Sequence, residues 1–178
     1  AAAWVERIEF GGLLDLPDDM GETRSQGPFA GFAVDLFDKS SGETERLNLE
    51  KILVKGKLPS SPGEILVSDS FAEKLGIGIN NKVTFIGSTM FGGMTVVNFT
   101  VSGTIRYGIA ALDKGSVIMD LADARSALDM EDACNEILGF TDVEYYDDAK
   151  ATAIMTSFNA MHSSGTDQFS PVMLRLRD

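Results

Sequence analysis

A short apolar run that passes straight into a capped helix occurs twice in this sequence, and a longer version follows. Glu64-Ile65-Leu66-Val67 reads as a compact strand, Ser68-Asp69-Ser70 as a cap, and Phe71-Ala72-Glu73-Lys74-Leu75 as a helix stopped at Gly76. Val117-Ile118-Met119 then runs into Asp120, which caps a helix with Leu121, Ala124 and Leu128 on one face, and Asp123 sits near its positive end. The third unit predicts a strand over Glu136 to Tyr146 and a helix opened by Asp147, with Ala151, Ile154, Phe158 and Met161 at three- and four-residue spacing. Such units require a sheet with helices packed on it, so all-helical and all-strand folds are excluded. The stretches between them are too long and too rich in turns for a doubly wound sheet, which leaves an α+β architecture.

Between the units the pattern is mostly strand. Trp4 to Leu16 predicts an opening strand, Pro17 to Gly27 a loop, and Pro28 to Leu36 a second strand carrying Phe29, Phe32 and Val34; a polar connector spans Asp38 to Glu43. Leu47, Ile52, Leu53 and Leu58 mixed with Glu50, Lys51 and Lys55 predict a short amphipathic helix ending at Gly56. Lys82 to Ser88 and Met94 to Tyr107 predict a projecting hairpin around Phe91-Gly92-Gly93, with the glycine pair supplying positive φ. Ser163 to Pro171 reads as loop, and Val172 to Leu176 as a last strand or a lead into further chain.

Composition narrows the function. With 15 Lys plus Arg against 27 Asp plus Glu in 178 residues, the net charge of −12 repels phosphates and anionic lipid, which argues against nucleic acid and broad membrane contact. Cys134 is the single cysteine, so no internal disulfide forms. No apolar run approaches the roughly 18 residues that cross a bilayer, and Ala1 to Arg7 lacks the regions of a signal peptide.

Catalytic constellations are missing. His162 is the only imidazole and falls at a helix end, where a cation complements the dipole; with one His and one Cys no zinc set of the usual kinds assembles. No Gly-x-Ser-x-Gly elbow or Walker motif occurs, and Ser88, near several glycines, reads as a turn residue. Gly76 and Gly78 lie between a helix and a strand, the wrong order for a phosphate cradle. The acidic groups Asp15, Asp18, Asp19 and Glu22, and Glu144, Asp147 and Asp148, lack the calcium-loop spacing and read as solvated loops and caps. Asn98-Phe99-Thr100 fits a glycosylation triplet but falls inside a predicted strand. No catalytic, cofactor-binding or metal residue is assigned, and no enzyme activity or cofactor is expected of the chain. The candidate contact residues are Met90, Phe91 and Met94 at the hairpin tip, since apolar side chains on a protruding turn mark contact surfaces.

Pro62-Gly63-Glu64-Ile65-Leu66-Val67-Ser68-Asp69-Ser70-Phe71-Ala72-Glu73-Lys74-Leu75-Gly76-Ile77 resembles the extracytoplasmic core domain of MacB-type ABC transporter permeases, including the lipoprotein-releasing LolC and LolE branch. The family pattern is Gly-Glu and three apolar residues, a small-residue cap, Leu-Ala-x-x-Leu-Gly, then a Gly-Asp-x-Val-Thr strand. Here that strand opens as Asn80-Asn81-Lys82-Val83-Thr84, with Asn replacing Gly-Asp at a turn where Asn also tolerates positive φ. A second block is similar: Phe99-Thr100-Val101-Ser102-Gly103-Thr104-Ile105, then Gly108 to Asp113, then Val117-Ile118-Met119-Asp120-Leu121-Ala122-Asp123-Ala124. With the opening strands the likeness spans most of the chain.

The resemblance implies a single extracytoplasmic domain over 1–178, lying between the first two transmembrane helices of an inner-membrane permease. It implies a βα porter-like subdomain (near 46–81 and 108–162) and a β-rich second subdomain (near 1–45 and 82–107), with Ala1 and Asp178 close together on the membrane side. The implied partners are a cytoplasmic ABC ATPase and a second permease subunit, with a periplasmic chaperone or a lipoprotein as further candidates. The implied role is coupling ATP hydrolysis to periplasmic extraction or export. In the lipoprotein-releasing branch the hairpin corresponding to Ser88 through Asn98 is a hook for a chaperone; here it is shorter and lacks the prolines of the hook. The alternative is a free-standing extracytoplasmic ligand-binding protein or hydrolase, which a deep pocket lined by Asp15, Asp147 or Ser88 would favour.

Overall fold

A computed structural model describes residues 2–141, 145–163 and 170–176. The chain forms two compact units, one of Trp4–Gly139 and one of Ala1–Ala3 with Phe140–Asp178. In chain order the elements are β1 (Ala2–Pro17), β2 (Thr23–Val34), α1 (Glu43–Arg46), α2 (Leu49–Ile52), β3 (Leu53–Gly56), β4 (Glu64–Ser68), α3 (Asp69–Leu75), β5 (Lys82–Ser88), β6 (Met94–Ile105), α4 (Ala110–Asp113), β7 (Ser116–Asp120), α5 (Leu121–Leu128), β8 (Glu136–Thr141) and α6 (Asp148–His162). The expected α+β class is found.

In the larger unit the strand path runs β2-β7-β4-β6-β5-β1, with β8 beyond β1 and β3 added on β6. Because β1 also pairs with β2 from Ile8↔Ala33 to Pro17↔Thr23, six strands close into a ring, which leaves few free edges. β2–β7 and β4–β6 are parallel, and the other pairs of the ring are antiparallel. The segments assigned from the resemblance to two subdomains thus contribute strands to one sheet, and the division between units falls at Phe140.

Alternation along the strands sorts residues between two cores. Ile65 and Val67 of β4 and Val117 and Met119 of β7 enter the main core with Ile8, Leu14, Phe71, Phe85 and Phe99. The intervening Leu66 and Ile118 join a second core with Val34, Leu49 and Ile105. With both faces covered, β4 and β7 need unbroken apolar runs, which explains their sequences. In the main core Phe10, Phe29 and Phe85 pack edge to face with ring centroids 5.6–5.7 Å apart.

The two strand-to-helix turns form as expected, with differences in how the caps are used. Asp120 accepts from Ala122 N at α5, and Gly76 ends α3 in the left-handed region. Ser68, however, makes no cap bond to α3; its Oγ accepts from Ser116 N across the sheet. Asp123 accepts from Gly63 N rather than from its own helix.

Several predicted elements differ. β2 begins at Thr23, because Ser25, Gln26 and Gly27 pair with Leu16, Asp15 and Leu14 of β1; the predicted loop shrinks to a turn in which Asp18 accepts from Met20 N and Glu22 N. The helix expected from Leu47 to the stop at Gly56 breaks at Asn48 (φ 50), and Leu53–Gly56 is strand β3 on β6. Leu47, Ile52, Leu53 and Leu58 all reach the second core, so burial is satisfied by a bent path. Gly103 permits the close pairing, since a Cβ there would lie 2.6 Å from Lys57 O.

In the smaller unit Asp147 caps α6, accepting from Lys150 N. Asn159 clasps the backbone of Met173 in both directions at 2.8 and 3.0 Å, and Arg175 reaches Thr152 at 3.1 Å. The segment 171–175 is therefore held by helix side chains, and of the two readings of Val172–Leu176, a last strand or a lead into further chain, the strand does not form. The strand expected over Glu136–Tyr146 ends at Thr141, with 142–144 outside the described residues. The expected proximity of the chain ends also falls outside them. No helix among the described residues is long and apolar enough to cross a membrane.

Candidate functional site

The expected β5–β6 hairpin forms, with Ser88 opposite Met94 and Lys82 opposite Thr100. Its five-residue tip is closed by Thr89 N donating to Gly93 O at 2.7 Å and Gly92 N donating to Thr89 O at 3.0 Å. Only Gly92 of the glycine pair has positive φ, at 82°; Gly93 instead donates its N–H to Thr89 Oγ1. The tip does not project freely, because Met90 N donates to Leu128 O at the end of α5.

That bond sets Met90 and Phe91 beside the loop that follows α5. Asp129 leaves the helix in the left-handed region, Met130 N donates back to Arg125 O, and Ala133 N donates to Met130 O. Together they line an open depression of about 570 Å³, bordered by Met90, Phe91, Met130 and the acidic Asp129, Glu131 and Asp132. Phe91 and Met94 are each 79% exposed. Met94 lies outside the depression, so the structure joins two of the three candidate contacts. The acidic rim has no local signal in the sequence, since a contact between distant segments, Met90 with Leu128, brings the loop to the hairpin.

The structure places the other residues singled out above as follows. Cys134 is partly buried, and burial followed by the neighbouring carboxylate of Glu6 holds its thiol above the usual value. His162 ends α6 with its ring 4.7 Å from that of Phe158. Asp15 is buried on β1, and its Oδ1 has no hydrogen-bond partner among the described residues. Asp147 and Asp18 cap local turns, Asp148 lies near Arg175, and Glu144 is outside the described residues. Asn98-Phe99-Thr100 lies within β6 with Phe99 buried. Neither the hairpin depression nor a second one beside Phe71 is lined by Asp15, Asp147 or Ser88. No group of three His, Cys, Asp or Glu placed to hold a metal occurs among the described residues.

Asp69 departs most from its expected role. Instead of capping α3, its carboxylate accepts from Thr104 Oγ1 at 2.8 Å and pairs with Arg106 at 2.7 Å and Lys55 at 3.1 Å, while only 2% exposed. Burial alone would raise this carboxyl, but the Thr104 and Lys55 bonds and the charges of Lys55 and Arg106 outweigh it and hold the group below the usual carboxylate value. It ties α3, β3 and the end of β6 together.

Neither a protein-family model nor a curated protein matches the sequence. Among solved structures, the fold is similar to the periplasmic region of MacB from Actinobacillus actinomycetemcomitans, with a TM-score of 0.56 and 9% identity. The match covers 89% of this chain and 66% of that one, just under two thirds of its length, and it establishes a MacB periplasmic-region-like fold.

Proposed function

We propose that this chain is an extracytoplasmic domain of an ABC transporter permease, which couples ATP hydrolysis by a cytoplasmic partner to periplasmic extraction or export of a lipoprotein or another substrate. The observation that carries this reading is the likeness to the MacB periplasmic region across 89% of the chain. The two sequence blocks that resemble the permease family add support, since they supply β4–α3 and β6 through α5 of the same sheet. In this reading the domain performs no chemistry of its own; an ABC ATPase and a second permease subunit complete the machine. The hairpin tip, with Met90, Phe91 and Met94 exposed beside an acidic rim, is its contact point for an extracytoplasmic partner.

Purification of the full-length gene product from membranes tests the reading. An ABC ATPase should co-purify, and excising 4–139 should abolish ATP-driven export while the ATPase remains bound. A full-length protein that carries no ATPase, or export that persists without the domain, overturns it.

A further inference from the structure

The outer face of β2, β1, β5 and β6 in the larger unit carries an apolar row. Phe29, Leu14, Phe85 and Phe99 enter the main core, so the residues next to them along each strand point outward. The pairings Leu13↔Pro28, Leu13↔Ile86 and Ile86↔Val96 set four apolar side chains beside one another across the four strands. Leu13 is 38% and Val96 58% exposed, and Met94, on the same face of β6, is 79% exposed. Cross-strand packing accounts for apolar neighbours within a row, but contiguous apolar surface left open to water marks a contact surface. The adjacent row on this face is polar, with Asp15 opposite both Gln26 and Thr84, and Thr84 opposite Asn98. Thr84 gives its hydroxyl proton to Asn98 Oδ1 at 2.9 Å, and Asp15, 6% exposed, keeps Oδ1 without a hydrogen-bond partner among the described residues. Such an unsatisfied carboxylate oxygen is costly, and a cation beside it offsets the cost.

We propose that this face docks one basic amphipathic helix of a partner protein, with the helix's apolar stripe on Leu13, Ile86 and Val96 and a lysine or arginine beside Asp15. Size and charge select that occupant. Four strands by three side-chain rows measure about 14 by 14 Å, which a single helix of about 10–12 Å diameter covers with roughly ten residues. That area is a fraction of the roughly 800 Å² that each partner of a stable dimer buries, so a second copy of this chain is not the occupant. Two chains of net charge −12 also repel, as do this chain and anionic lipid, whereas Asp15, the one charged residue in the two rows, attracts a cation. The assignment does not depend on the transport role proposed above and shares only Met94 with the hairpin tip.

Titration of the isotopically labelled protein with a synthetic helical peptide, leucine on one face and lysine on the other, tests the surface by two-dimensional amide NMR. Saturable shifts are expected at Leu13, Ile86 and Val96, with no matching shifts from a peptide whose lysines are replaced by glutamates. Binding should be at least tenfold weaker in Val96→Glu and at least threefold weaker in Asp15→Asn, and unchanged in Phe91→Ser at the hairpin tip. Val96→Glu adds negative charge, so attraction to the net charge alone predicts the opposite, tighter binding. Val96 is exposed, and unchanged thermal unfolding of the variant verifies its fold; should it unfold, Met94→Glu serves in its place, with the same expected loss. Affinity within twofold in Val96→Glu or Asp15→Asn, equal binding of the glutamate peptide, shifts confined to other surfaces, loss of binding in Phe91→Ser, or a concentration-dependent dimer that Val96→Glu abolishes would each overturn the proposal.

Discussion

Single residues hold this molecule together through buried charge and tight aromatic packing. Asp69 gains stability from three donors, so Asp69→Ala should cost about 2 kcal/mol, the scale of hydrogen bonds to a charged group discounted for the half exposure of Lys55 and Arg106. Its carboxyl is depressed in the folded state, so this contribution is present above the unfolded value of about 3.9 and is lost as pH falls through the folded value. Thermal unfolding of wild type and Asp69→Asn should therefore differ at pH 7 and converge as pH falls below about 4. Glu43, with no side-chain exposure, pairs with Arg7 at 2.7 Å and Arg46 at 2.8 Å. Denaturant unfolding of Glu43→Ala should show a loss of about 3 kcal/mol, since the variant removes a fully buried carboxylate together with its charge-assisted hydrogen bonds to both guanidiniums. Gly31 faces Phe10 across the β1–β2 ladder, where a Cβ would stand 2.4 Å from the ring. Gly31→Ala should cost roughly 1–3 kcal/mol by overpacking, measured the same way.

At the scale of elements, the strand-to-helix units were legible because cap, apolar run and glycine stop agree locally. β4–α3 and β7–α5 appear where the apolar runs, the Gly76 stop and the Asp120 cap put them. β3 was not legible: Leu47, Ile52 and Leu53 mixed with Glu50, Lys51 and Lys55 also suit a short amphipathic helix, and only tertiary pairing with β6 turns Leu53–Gly56 into strand. The same holds for Thr23–Gly27, polar residues whose strand state depends on β1. Half of the candidate site was readable, since exposed Met90 and Phe91 follow from a hairpin turn, but the Asp129–Asp132 rim depends on a contact between distant segments. Local stability should follow burial. Hydrogen exchange should find the amides of β4 and β7 opening only with global unfolding, while those of the 89–93 tip and β3 exchange through cheaper local openings.

For the whole molecule, closing six strands into a ring explains how a chain without disulfides buries two cores around one sheet. The fold kinship was visible in two sequence blocks although identity to the similar solved structure is 9%, because those blocks encode turns and caps, while the rest of the sheet tolerates any residues of matching alternation. The negative charge of −12 suits a surface in water that does not settle on anionic lipid. The central claim concerns which side of the membrane that surface faces. A full-length protein carrying Cys134→Ser and Phe91→Cys, with no other cysteine in the gene product, places one reactive thiol on the exposed hairpin tip. A membrane-impermeant maleimide applied to spheroplasts with intact inner membranes should label it as fully as in lysed cells; labelling that appears only after lysis would contradict the account.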